Sequence, residues 1–135
     1  AMACSAGETI YRHLKDMKRT INDYDLIVTG DLGKYGKEIL KEYMSLEYGI
    51  ELGKNYDDCG TLLYDLERQE EVLAGASGPL CIAMVSYSDI LPKLEKGMFK
   101  RVLLVATGAL FSPTFVYQHK PIYSISHAVS LEVNK

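Results

Sequence analysis

The sequence predicts an α/β fold: a layered sandwich with a mixed sheet carrying helices in the order α-β-α-β-β-α-β-β. Two observations predict the layering. Segments with apolar residues at helical spacing alternate with short continuous apolar runs, the pattern of strands buried on both faces between helices. Two of those runs, Leu26-Ile27-Val28-Thr29 and Val102-Leu103-Leu104-Val105-Ala106, lead into the same pair, Thr29-Gly30 and Thr107-Gly108.

The elements follow in order. Ile10, Leu14, Met17 and Ile21 recur at helical spacing among Arg12, Lys15, Asp16, Lys18 and Arg19, which predicts an amphipathic helix over 5–19. Asn22-Asp23 turns the chain into the first strand, 26–29. Ile39, Leu40, Tyr43 and Met44 mark a second helix over 35–47, with Gly49 as its stop. A polar loop over 51–58 comes next. Two short apolar runs, 61–64 and 72–74, flank charged residues 65–71; they read as a strand pair joined by a solvated turn, or as flanks of a short helix. The glycine-rich turn 75–79 opens a third helix over 79–94. Pro79 suits its first turn and Pro92 kinks or ends it. Leu80, Cys81, Ile82, Ala83, Met84 and Val85 make that helix apolar nearly all round, so it is expected to be central. A second buried strand over 102–106, a loop over 112–121 and an alternating, near-edge strand over 128–133 complete the chain. No strand precedes the first helix. The small residues at the start, Ala1 to Ala6, lead almost directly into it, so the chain is expected to be a fragment, a single half-domain over 1–135.

Composition bounds the function. The chain has 135 residues, 47% hydrophobic and 24% charged, with net charge -3, enough apolar material for one domain with a core. Acidic and basic side chains are mixed, with no Lys/Arg block, which argues against nucleic acid and a polybasic membrane surface. No apolar run approaches membrane-spanning length and no signal peptide is visible. Three cysteines without a C-x-x-C spacing point to a reducing compartment.

Ligands of α/β sheets gather outside the carboxyl ends of the strands. Thr29-Gly30-Asp31, Thr107-Gly108-Ala109 and the turn 75–79 are expected to meet there. The turn reads either as an anion site formed by free backbone N–H groups at a helix start, or as a tight connection that needs glycine for its backbone. Asp31 reads as a cap of the second helix or as a ligand group. Asp57 and Asp58 are expected to be solvated, with no metal. Cys59 would need a partner base to act as a nucleophile, and Cys81 reads as packing. His13 is expected to be solvated and His119 to lie in a loop. His127 reads as a pocket residue or as a buried structural histidine. No P-loop, Rossmann, G-x-S-x-G or H-E-x-x-H motif occurs.

Five ordered blocks carry a resemblance. Asp25 to Gly33, Asp58-Cys59-Gly60, Leu73 to Gly78, Lys100 to Leu110, and Ser126-His127-Ala128-Val129 resemble, in the same order and across essentially the whole chain, the C-terminal half of the stage V sporulation protein AD family. The resemblance implies a thiolase-like fold similar to ketoacyl-acyl-carrier-protein synthase III, with two pseudo-equivalent halves of which this is the second. It implies a non-catalytic subunit of the complex that moves dipicolinic acid, with calcium, into the spore and out at germination. The implied ligand is a flat pyridine with two carboxylates. Its candidate contacts are Gly30, Asp31, Gly75, Ser77, Gly78, Thr107, Gly108, Ser112 and His127, with no cofactor and no metal. The implied partners are the N-terminal half, the other stage V sporulation A membrane proteins and a second copy of the subunit. The implied location is the cytoplasmic side of the spore inner membrane, as a peripheral protein.

Catalysis is not expected. The related synthases carry a histidine where this chain has Gly30-Asp31, and an asparagine near Gly75-Ala76-Ser77; neither nitrogen donor is present here. Two departures from the family pattern concern the same turn: Ala76 replaces a second glycine, and Pro79-Leu80-Cys81 keeps only the later of two cysteines. The rival readings are a condensing-enzyme half completed by a separate chain, and a purely structural module.

Overall fold

The computed structural model describes residues 1–134. Its helix α1 spans Met2–Met17 and buries Ala3, Ala6, Gly7, Ile10 and Leu14, while Met17 faces solvent. Lys18 closes α1 in the left-handed region, and Arg19 N–H bonds back to Leu14 C=O at 2.8 Å. Strand β1 is Leu26–Thr29, helix α2 is Gly33–Tyr48 with Gly49 as its left-handed cap, and strand β2 is Tyr56–Asp58. Gly7 permits the close approach of α1 to α2, because a Cβ there would stand 2.6 Å from the Tyr43 ring.

Beyond β2 come α3 (Cys59–Leu62), α4 (Leu80–Val85), a π turn (Ser86–Ile90), α5 (Leu91–Glu95), strand β3 (Arg101–Leu110), α6 (Pro113–Tyr117) and strand β4 (Tyr123–Glu132). The α/β class and mixed sheet stand, in the strand order β2-β1-β3-β4, with β4 antiparallel at one edge and the other pairs parallel. The strand pair expected over 61–64 and 72–74 does not form. Thr61 and Leu62 continue the helical turn capped by Asp58, and residues 65–74 are turns and bends, so apolar character there serves packing without a ladder. The second sheet element is β2, inside the expected polar loop: Ile27 pairs Tyr56 and Thr29 pairs Asp58. The loop 112–121 contains the short helix α6.

The third helix is continuous in path but broken in pitch. Pro92 lies in the first turn of α5 and has no N–H to donate, so the backbone widens into the π turn just before it.

The helices cover the sheet on both faces. Ile10, Leu14, Leu40 and Met44 pack with Ile27, Leu103 and Val105 on one side. Cys81, Val85, Ile90 and Leu94 pack with Val28, Cys59 and Val102 on the other. The second cover is partial. Leu80, Met84 and Tyr87 project outward from α4 and the π turn, and Ile125 and Val129 of β4 are more than half exposed, so in this chain the third helix is not enclosed.

Candidate functional site

Two carboxylates organise the carboxyl ends of the parallel strands. The first is Asp58, fully buried at the end of β2. Its Oδ1 accepts from Thr29 Oγ1 (2.6 Å) and Leu32 N–H (3.0 Å); its Oδ2 accepts from Gly33 N–H (2.9 Å) and Gly60 N–H (3.0 Å). One side chain therefore caps the starts of both α2 and α3, where unpaired N–H groups and the helix dipole favour a negative charge. Burial pushes its carboxyl above the ordinary range, with the four donors pulling against that shift. The single hydroxyl proton of Thr29 goes to Asp58, so Tyr56 donates its own to Thr29 Oγ1 at 3.0 Å. Asp58 is thus not solvated as expected; its neighbour Asp57 is the one near the surface, paired with Lys37 at 2.6 Å.

The second carboxylate is Asp31. It does not cap α2, since Asp58 holds that position. Its Oδ1 accepts from Thr107 Oγ1 (2.8 Å) and its Oδ2 from Gly78 N–H (3.0 Å), which ties the ends of β1 and β3 to the glycine turn. The turn is stitched from its other side as well: Ala76 N–H donates to Gly60 C=O (2.7 Å) and Lys34 N–H to Ala74 C=O (2.8 Å). Gly75 has φ 100°, and a Cβ there would stand 2.4 Å from Gly60 O, so this position requires glycine. Of the two readings of the turn, the geometry displays the backbone one. The N–H groups of Ala76 and Gly78 are engaged within the chain, and the negative group at Gly78 is the chain's own.

Gly30, Asp31, Gly75, Gly78 and Thr107 are therefore brought together, with Ser77 exposed on the same turn and Gly108 the next residue along β3. Ser112 and His127 lie elsewhere. Ser112 Oγ caps α6 by accepting from Phe115 N–H at 3.4 Å. His127 pairs with Ala106 in the ladder, so it projects from the sheet face opposite Thr107. There it lines a groove of about 400 Å³ between the third helix and the β3–β4 face, walled by Ile82, Leu91, Leu104, Val129 and Leu131. Ser86, in the π turn, lines the same groove; its buried hydroxyl has no hydrogen-bond partner among the described residues.

Neither buried cysteine is set up as a nucleophile. Burial pushes the Cys59 thiol up to about 12 and raises that of Cys81. His13 is half-buried, not solvated: its Nε2 bonds the Tyr24 hydroxyl, and burial with the nearby Arg19 cation lowers its pKa. Sequence reasoning placed Thr29 at the strand ends, took Asp58 for a solvated acid and did not single out Ser86. A carboxylate two residues before Gly60 was the available signal for Asp58, as an N-cap spacing. Nothing local marks Ser86.

The fold and the strand-end cluster define an α/β protein with a mixed open sheet, whose loops are locked by internal carboxylates. The chain belongs to the stage V sporulation protein AD family: the family model described as Stage V sporulation protein AD (SpoVAD) matches residues 1–132. Stage V sporulation protein AD of Bacillus subtilis (strain 168) is 48% identical over 132 residues, which make up 98% of this chain and 38% of that relative. The chain thus spans well under half of the relative's length. Among the described residues no helix is long and apolar enough to cross a membrane.

Proposed function

We propose that this chain is the non-catalytic, thiolase-like C-terminal half of a subunit that binds dipicolinic acid, and that it serves calcium dipicolinate uptake and release in the spore. In this reading the subunit is peripheral to the inner membrane, is held there by the other stage V sporulation A proteins, and pairs with an N-terminal half and with a second copy. The observation that carries the ligand assignment is the groove beside the third helix. It offers apolar walls, an unpartnered Ser86 hydroxyl and the His127 imidazole, the combination that suits a flat aromatic ring bearing carboxylates. The absence of catalysis rests on buried, high-pKa thiols and on Asp31 standing where the synthases have histidine.

Titration calorimetry of dipicolinic acid into the family-length protein tests the reading. Binding that Ser86→Ala and His127→Ala each weaken, with competition by other pyridine dicarboxylates, is the expected result. Absence of heat, or binding indifferent to both substitutions, would sink it. A structural role is the second reading, favoured by the exposure of Met84, Tyr87, Ile125 and Val129 around the same groove. Covering of that face by the N-terminal half without any ligand is the outcome that would support it.

A further inference from the structure

The β3–β4 hairpin outruns the sheet. Strand β1 ends with Thr29 opposite Val105, yet β3 and β4 continue pairing to Leu110 and Tyr123. Beyond His127 the ribbon is covered on one face only: Ser5 and Thr9 of α1 bond to Ser124 and Ser126. The other face and the tip are bare. Leu110 is 68% exposed, Phe111 69%, Tyr117 86% and Tyr123 68%. The tip nevertheless has internal order, because Phe115 packs on Tyr123 with ring centroids 5.8 Å apart and Lys120 Nζ lies 5.7 Å from the Phe115 ring.

Charge distinguishes this patch from the rest of an acidic chain. No Asp or Glu stands between Glu95 and Glu132, and the tip itself carries Lys120 beside His119. Glu8 of α1, paired with Arg12, borders the covered face beside Ser124 and Ser126, whereas the exposed aromatic residues of the tip stand next to a cation on a stretch of chain free of acids. They complement the interface of an anionic bilayer, where rings settle at headgroup level and lysine meets lipid phosphate. We propose that the hairpin tip docks directly on an anionic lipid surface. This deepens the peripheral placement proposed above and is separable from it, since a subunit held only by membrane proteins would bind no protein-free vesicle.

Co-sedimentation with vesicles of phosphatidylglycerol and phosphatidylcholine, against phosphatidylcholine alone, tests the docking. The expected result is preferential binding to the anionic vesicles. Phe111→Ser or Tyr117→Ser each weaken partitioning by about tenfold, from the loss of one buried aromatic ring. Lys120→Glu weakens binding to anionic vesicles by about tenfold and leaves neutral vesicles unaffected. Circular dichroism checks that these exposed substitutions leave the fold intact, and Lys120→Glu reports separately from the aromatic variants. No preference for anionic vesicles, or binding indifferent to all three variants, overturns the proposal. So does a Tyr117→Cys thiol that is shielded from reagents in the family-length protein without vesicles, which would assign the tip to the remaining polypeptide.

Discussion

Replacing Asp58 with asparagine keeps the shape of the side chain and changes what it can accept. The retained oxygen still meets Thr29 Oγ1 and Leu32 N–H, but the new amide NH₂ faces Gly33 N–H at 2.9 Å and Gly60 N–H at 3.0 Å. Donor would face donor at two helix starts in a fully buried place. Each unsatisfied buried N–H costs about 1–3 kcal/mol, giving about 2–6 kcal/mol for the pair. Removing a buried charge returns part of that, because the carboxylate is itself penalised by burial. A net loss of about 3 kcal/mol results, or roughly 9–15 °C in Tm for a domain of this size. Urea unfolding followed by circular dichroism measures it as a lower midpoint with an unchanged slope. Asp57→Asn is the matched control: the same chemistry one residue earlier, in a partly exposed pair with Lys37, is worth about 0–1 kcal/mol. Equal effects from the two substitutions, or an Asp58→Asn loss under about 1 kcal/mol, would refute the assignment of Asp58 as the shared cap.

Three further outcomes follow from the same geometry. Asp31→Ala releases Thr107 Oγ1 and Gly78 N–H; hydrogen exchange at Gly78 should accelerate by about tenfold or more while the core amides keep their protection. Thiol alkylation at neutral pH should modify exposed Cys4 promptly and reach Cys59 and Cys81 only as fast as the chain unfolds, read as one fast equivalent by mass spectrometry. Asp25 accepts from Arg101 N–H and Lys100 N–H, which hold its carboxyl below the ordinary 3.8. A depressed folded pKa gives stability that is complete above the ordinary value and lost as pH falls through the folded one. The Tm difference between the natural chain and Asp25→Asn should therefore be constant from neutral pH to about 4 and shrink below that; a difference that grows in acid would contradict it.

Much of the fold was legible because burial along a single helix or strand leaves a local period. Ile10 with Leu14, Leu40 with Met44, and the runs 26–29 and 102–106 announced their elements, and Gly49 announced a stop. Strand β2 left no such mark. Three polar-ended residues, Tyr56 to Asp58, become a strand only because the edge of β1 offers them a ladder. The runs at 61–64 and 72–74 misled for the converse reason: their apolar residues join no ladder, the first run instead continuing the helical turn that Asp58 caps.

The candidate site divides the same way. Residue types and the repeated Thr-Gly endings placed Gly30, Asp31, Gly78 and Thr107 at one end of the sheet, since parallel neighbours must finish together. The spacing of Asp58 to Gly60 marks a helix cap in the sequence, but not the burial of that acid. Asp57 and Asp58 are chemically identical neighbours, and the alternation of a strand sends one toward Lys37 and the other to two helix starts. The same parity put His127 on the face opposite Thr107, in a groove with Ser86. Local sequence set the elements and their ends, because periodicity and turn chemistry act within a few residues. Tertiary structure alone chose the partners of each polar group, because that choice depends on which strand edges and helix ends arrive side by side.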